Sequence, residues 1–150
     1  MTEQAAALVQ GMTIACPEGW QDKSMLVLSA ERPGATGVSA NLVVTREAIP
    51  GDLPADPAVA LEAFVDRQLD AMRLALAGLV EVSRRHAAVA GSAAELRIDW
   101  VSDGVPIAQW ITYAPTGERA LMIATATAGR GDFAEAEAAF RAMLRTFRTG

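Results

Sequence analysis

Two rhythms of apolar positions divide this chain. Met12 to Ala15, Met25 to Ala30 and Val38 to Thr45 are short runs rich in Val, Leu and Ile, and they predict three strands, with Pro33-Gly34 turning the second into the third. From Asp56 the period lengthens. Asp56-Pro57 is an N-cap followed by a proline at the first helical position, and Leu61, Val65, Leu69 (or Gln68), Met72 and Leu76 recur at spacings of three and four. With Gly78 as the residue closing its C-terminus, this predicts one long helix over 57–77. Four more strands are predicted at Leu79 to Ala88, Ala94 to Val101, Ile107 to Ala114 and Arg119 to Ala128. They are separated by Gly91, the hairpin-type turn Asp103-Gly104, and Pro115-Thr116-Gly117. A second helix starts at Asp132, where Glu135 completes a capping-box pattern, and buries Phe133, Ala136, Phe140, Met143 (or Leu144) and Phe147. The predicted fold class is α+β: an antiparallel sheet with two main helices in the order βββ-α-ββββ-α, as a single domain over residues 1–150.

Several strands fail to alternate. Met25-Leu26-Val27-Leu28, Leu42-Val43-Val44 and Ala120 to Ala124 are apolar at every position, as in strands covered on both faces. Either the helices split, one per face, or a second copy closes the gap, or an apolar client or ligand does. The run Val38 to Thr45 separates its faces clearly. Val38, Ala40, Leu42 and Val44 make an apolar core face, whereas Ser39, Asn41, Val43 and Thr45 make a mixed face suited to both van der Waals contact and hydrogen bonds.

Composition narrows the function classes. Of 150 residues, 51% are hydrophobic, enough for a core without staples, yet no apolar run approaches the roughly 20 residues of a membrane span. The net charge of −5 and a pI near 4.8 argue against nucleic acid and anionic membrane surfaces as partners. One cysteine, Cys16, and one histidine, His86, supply neither a disulfide nor a usual zinc site, so no metal and no cofactor are expected. The first ten residues lack a signal-peptide pattern, which predicts a cytoplasmic protein with an intact N-terminus.

Catalytic patterns are weak. His86 follows two arginines on an expected edge strand, without a nucleophile or orienting acid in a motif, and reads as solvated. Cys16 reads as a small buried hydrophobe. Asp66 and Asp70 share a helix face with Arg67 and Arg73 nearby, a solvated charged surface rather than an acid–base pair. Gly129-Arg130-Gly131-Asp132 reads as a turn into the second helix. Two glutamines stand out: Gln68 on the line of Phe64, Met72 and Leu76, and Gln109 among Ile107, Trp110 and Ile111. Each either faces solvent or bonds to backbone, or points into an apolar groove with its amide offered to a client.

Pro17-Glu18-Gly19-Trp20-Gln21-Asp22-Lys23-Ser24 before Met25 to Leu28 resembles the P-x-x-W-x-D-x-S opening of the DcrB-related family. Asn41 to Glu47, an apolar strand ending in Arg-Glu, is similar to its next signature. The helix with Gln68, Val89-Ala90-Gly91, Ala94-Glu95-Leu96, Trp100, Ile107-Ala108-Gln109, Ala124 to Thr127 and Phe140 to Phe147 follow in the family's order, over about residues 12–148. The resemblance implies a PsbP-like fold. It also implies kinship with the Eag-type chaperones of bacterial type VI secretion, which are non-enzymatic, dimeric cytoplasmic adaptors. Such adaptors hold the N-terminal transmembrane helices of an effector and aid its loading onto the secretion spike protein in a ternary complex, without entering a membrane. The client groove expected here takes Met25, Val27, Val43, Gln68 and Gln109 from the matched motifs, and Asn41, Thr45, Met72, Leu76 and Ile123 from strand and helix periodicity. A carrier of a small apolar ligand or lipid on the same face is the alternative.

Overall fold

A computed structural model describes residues 14–87, 93–117 and 119–147. In chain order these form β1 (Leu26–Ser29), β2 (Asn41–Ala48), α1 (Pro57–Ala75), β3 (Val80–Ala87), β4 (Ala93–Ser102), β5 (Val105–Pro115), β6 (Ala120–Gly129), a 3-10 turn over Arg130–Asp132, and α2 (Phe133–Thr146). The architecture is α+β, with an antiparallel sheet of six strands ordered β1-β2-β6-β5-β4-β3. Of the first predicted strand, Met12 and Thr13 lie outside the described residues, and Ile14 and Ala15 are not in a strand.

Local chemistry sets the boundaries. The Asp56 carboxylate accepts from the backbone N–H groups of Ala58 at 3.0 Å and Val59 at 3.2 Å, capping α1, and Pro57 occupies the first turn. The helix ends two residues earlier than its periodicity predicts. Leu76 is the cap, its N–H bonded to the Met72 carbonyl at 2.8 Å, and Gly78, at φ +64°, turns the chain beyond it. Asp103 and Gly104 both have positive φ, at 48° and 80°, and close the two-residue β4–β5 hairpin in which Ser102 pairs with Val105. Arg119 ties the entry to α1 to the sheet by donating to the carbonyls of Pro50 at 2.7 Å, Pro54 at 3.0 Å and Leu53 at 3.3 Å.

The helices split, one to each face of the sheet. Phe133, Phe140 and Leu144 of α2 pack on Leu42, Val44, Ala108, Trp110, Ala124, Ala126 and Ala128. Leu61, Val65 and Leu69 of α1 pack on Leu96, Ile98, Ile111, Tyr113, Leu121 and Ile123. The double-sided apolar strand β6 is thus explained by two cores that share one sheet, whereas β2 contributes Leu42 and Val44 to the α2-side core alone. On the α2 side Arg97 of β4 covers the core, its guanidinium 4.4 Å from the Phe133 ring centroid and 5.6 Å from that of Trp110. Arg141 approaches Trp110 at 4.9 Å, and Glu137 holds both arginines at 2.8 Å.

Two expectations are corrected. Asp132 stands at the N-cap position of α2, but its side chain makes no capping bond. Its carboxylate accepts instead from the Thr36 backbone N–H at 3.2 Å and the Thr36 hydroxyl at 2.5 Å, anchoring the β1–β2 loop across 96 positions of sequence. Cys16 is exposed rather than buried. It belongs to a segment, residues 14–25, that runs outside both cores with Ile14 at 97% and Trp20 at 75% exposure, so no core is within its reach.

Candidate functional site

The register places side chains of the α1 face in three rows. Ser29, Asn41, Thr127 and Gln109 form one row across β1, β2, β6 and β5. Val27, Val43, Thr125 and Ile111 form the next, and Thr45, Ile123 and Tyr113 a third. The α1 contacts fall on β4, β5 and the near side of β6. The same face of β1 and β2 has no described element over it. Val27 is 54% exposed, and Met25, which continues its alternation, is 59% exposed.

Where α1 stops, a cleft of about 300 Å³ opens between helix and sheet. It is lined by Thr45, Glu47, Gln68, Met72, Leu76, Trp100, Gln109, Ile111, Ile123 and Thr125. Six of the ten residues expected from the sequence meet in it: Thr45, Gln68, Met72, Leu76, Gln109 and Ile123. The other four, Met25, Val27, Asn41 and Val43, lie on the same face outside the cleft lining, on the open part of the sheet. Together they make a surface running from the β1 edge to the α1 wall. Ile111, Thr125 and Glu47 were missed, although each stands two positions beyond a chosen residue on the same strand, and extending the period-two rule one step would have found them. Trp100 was missed as well, and no chosen residue on β4 pointed to it.

The two glutamines differ in what they have left to offer. Gln109 accepts from the Trp100 indole N–H at 2.9 Å and donates to the Thr127 hydroxyl at 3.0 Å. Both bonds are to side chains, and Gln109 is partly buried on the lining of the cleft. Gln68 accepts a hydrogen bond from the Tyr113 hydroxyl through Oε1. Tyr113 is fully buried and packs edge-on against Phe64 at 6.3 Å between ring centroids. Burial pushes its hydroxyl well above the ordinary tyrosine range, so it remains a donor. The charged candidates lie elsewhere: Asp66 pairs with Arg84 at 2.5 Å, and Asp70 lies 3.7 Å from Arg73. His86 sits on the edge strand β3. Among the described residues no cluster of metal-binding side chains occurs, and no helix is long and apolar enough to cross a membrane.

Residues 12–146 match the family model described as DcrB. The chain belongs to the DcrB family. Solved structures also match this DcrB-family chain. One is PA94 from Pseudomonas aeruginosa, a protein of unknown function described as a candidate regulator. It superposes with a TM-score of 0.78 at 23% identity, over 94% of this chain and 93% of that one. A likeness at that identity supports the fold alone. No curated protein matches the chain.

Proposed function

We propose that the chain is a non-enzymatic chaperone-adaptor that shields an N-terminal transmembrane helix of a type VI secretion effector in the cytoplasm and helps load it onto the secretion spike. The observation that carries this reading is the open apolar face continuous with the cleft. Met25, Val27, Val43, Ile123, Met72 and Leu76 supply apolar surface from the β1 edge to the α1 wall, and Asn41, Thr45, Thr125 and Gln68 place polar groups among them. A helix removed from lipid needs such a surface, and each 100 Å² of apolar area withdrawn from water contributes about 2.5 kcal/mol. Membrane helices that pack through small residues also present backbone carbonyls and hydroxyls, which the polar groups of the face can meet. The methionines suit a client of variable shape, because thioether side chains adapt. A helix is about 10–12 Å across, so one such face covers one side of it. A second copy of the chain closes the other side in this reading, forming a homodimer around the client.

The test is co-expression with an effector fragment carrying an N-terminal apolar helix. Wild type retains the fragment in the soluble fraction, and Val43→Asp, on the open face, releases it while remaining folded. Equal recovery by both proteins overturns the assignment of this face. A second reading draws on the cleft volume, which lies at the lower end of small-ligand sites. Native mass spectrometry separates the two, because a lipid-mass adduct without peptide marks a carrier.

A further inference from the structure

The cleft is charged at one end only. Among the described residues that line it, Glu47 alone has an acidic or basic side chain. It is exposed, and its carboxylate makes no hydrogen bond or ion pair with a described residue. Other carboxylates on this side are taken: Asp52 by Arg67 at 3.0 Å, Asp66 by Arg84, Asp70 by Arg73 at 3.7 Å and Glu81 by Arg73 at 3.4 Å. Arg119, close to Glu47 by register, is spent on the carbonyls of Pro50, Leu53 and Pro54, and Arg46 belongs to the opposite face of β2. The register also places this lone carboxylate. Glu47 pairs with Leu121 and Gln109 with Thr127, so the two are six residues apart along β6, about 20 Å of strand. The Glu47 end adjoins the entry to α1, where the Ile49 N–H bonds to the Arg119 carbonyl at 2.7 Å. The far end adjoins the exit from α1, where the Val101 N–H, next to Trp100 in sequence, bonds to the Ala77 carbonyl at 2.9 Å.

We infer that Glu47 makes the cleft directional: it takes an apolar helix that carries a lysine or arginine at one flank, and it seats that flank at the Glu47 end. The inference rests on the helix-holding reading above and adds the charge and the orientation of the client. A span of about 20 residues is about 30 Å long as a helix. With one flank beside Glu47, its other end projects past Trp100, and only the first flank meets a charge. Lys and Arg lay their methylene stems along apolar surface while the charged head reaches outward. A cation at the rim can therefore pair with the carboxylate while the adjoining turns lie on Ile123, Ile111 and Met72. Membrane spans carry such residues unevenly at their two ends, so the client supplies the asymmetry that the cleft reads. An acidic flank is repelled by Glu47 and by a chain whose net charge is already −5.

The test uses the full chain and three Leu/Ala helical peptides. They share a neutral Ser/Gln flank at one end and carry two lysines, two glutamines or two glutamates at the other. Wild type binds the lysine peptide about threefold tighter than the glutamine peptide, the scale of a partly exposed ion pair, and binds the glutamate peptide most weakly. The ranking narrows as salt rises. Glu47→Gln removes most of the ranking and keeps the affinity for the glutamine peptide. Glu47→Lys inverts the ranking, which loosened packing would not do, and both substitutions fall on an exposed side chain. Orientation is read with a nitroxide at either end of the lysine peptide, in a Trp20→Phe background. The label on the neutral end, which lies toward Trp100, quenches tryptophan fluorescence more than the label on the lysine end. Equal binding of the three peptides, a ranking undiminished in Glu47→Gln, or equal or stronger quenching from the lysine end overturns the inference while leaving helix holding intact. Failure of wild type to bind any of the peptides overturns the helix-holding reading and the inference with it.

Discussion

Glu137 on α2 reaches across to Arg97 on β4, carboxylate to guanidinium, at 2.8 Å. The same carboxylate holds Arg141 at 2.8 Å. Hydrogen bonds from Arg97 and then Arg141 draw the Glu137 carboxyl below the ordinary glutamate range. A carboxyl lowered in the folded state stabilises the fold above its unfolded pKa of about 4.3, and that contribution is lost as pH falls through the folded value. Glu137→Gln is therefore expected to cost about 0.5–1 kcal/mol at pH 7, the scale of a partly exposed ion pair. The gap from wild type should close in acid, and denaturant titrations at pH 7 and at successively lower pH read it directly.

Gly129 is a position where no side chain fits. A Cβ there would overlap Thr36, and one at Gly34 would overlap the Asp132 carboxylate. The Thr36–Asp132 hydrogen bonds require both close approaches. Gly129→Ala should destabilise by about 2 kcal/mol through steric displacement. Adding Thr36→Gly should recover part of that loss, so the double variant should be more stable than the sum of the single effects predicts. Thermal melts of the four proteins test this.

Gln109→Ala removes the partners of the Trp100 indole and the Thr127 hydroxyl together. The expected cost is about 1–2 kcal/mol, with the Trp100 fluorescence spectrum shifting as its N–H loses the amide. Loss of client in this variant has to be compared with its melt before it counts as loss of a contact.

Met25→Lys and Val27→Lys act on the part of the face that touches neither core. Both residues are more than half exposed, so stability should change by no more than about 0.5 kcal/mol. Client recovery should fall sharply in both, since a lysine there places a charge against apolar helix surface. A normal melt with undiminished client recovery would remove β1 from the binding face.

The order of elements was legible because the apolar period changes at Asp56 and again at Asp132. The strands of the second half were legible because Asp103-Gly104 is a hairpin turn by its backbone preference alone. Four cleft residues, Thr45, Met72, Leu76 and Ile123, were within reach for the same reason, since periodicity says which side chains share a face, and Gln68 and Gln109 came from the matched motifs. What was hidden depends on register or distance. That Gln109 lies within reach of Thr127 follows only once β5 and β6 are aligned, and that Asp132 serves Thr36 follows only once the β1–β2 loop is placed. Cys16 was misread because a small apolar residue type says nothing about whether a core is near enough to receive it.

Strand β6 is the common wall of the two halves of this molecule. Ala124, Ala126 and Ala128 face α2, and Ile123, Thr125 and Thr127 face the other way, the first two into the cleft. On the α2 side the wall is only a methyl group thick. Pressure from that side therefore has little to deform before it reaches the backbone. A larger residue at Ala126, which is buried on the α2 side, is expected to displace its neighbour Thr125 toward the cleft. The shape of the cleft is thus set partly by residues that do not line it, and it can drift through the back of the sheet while the lining keeps its sequence.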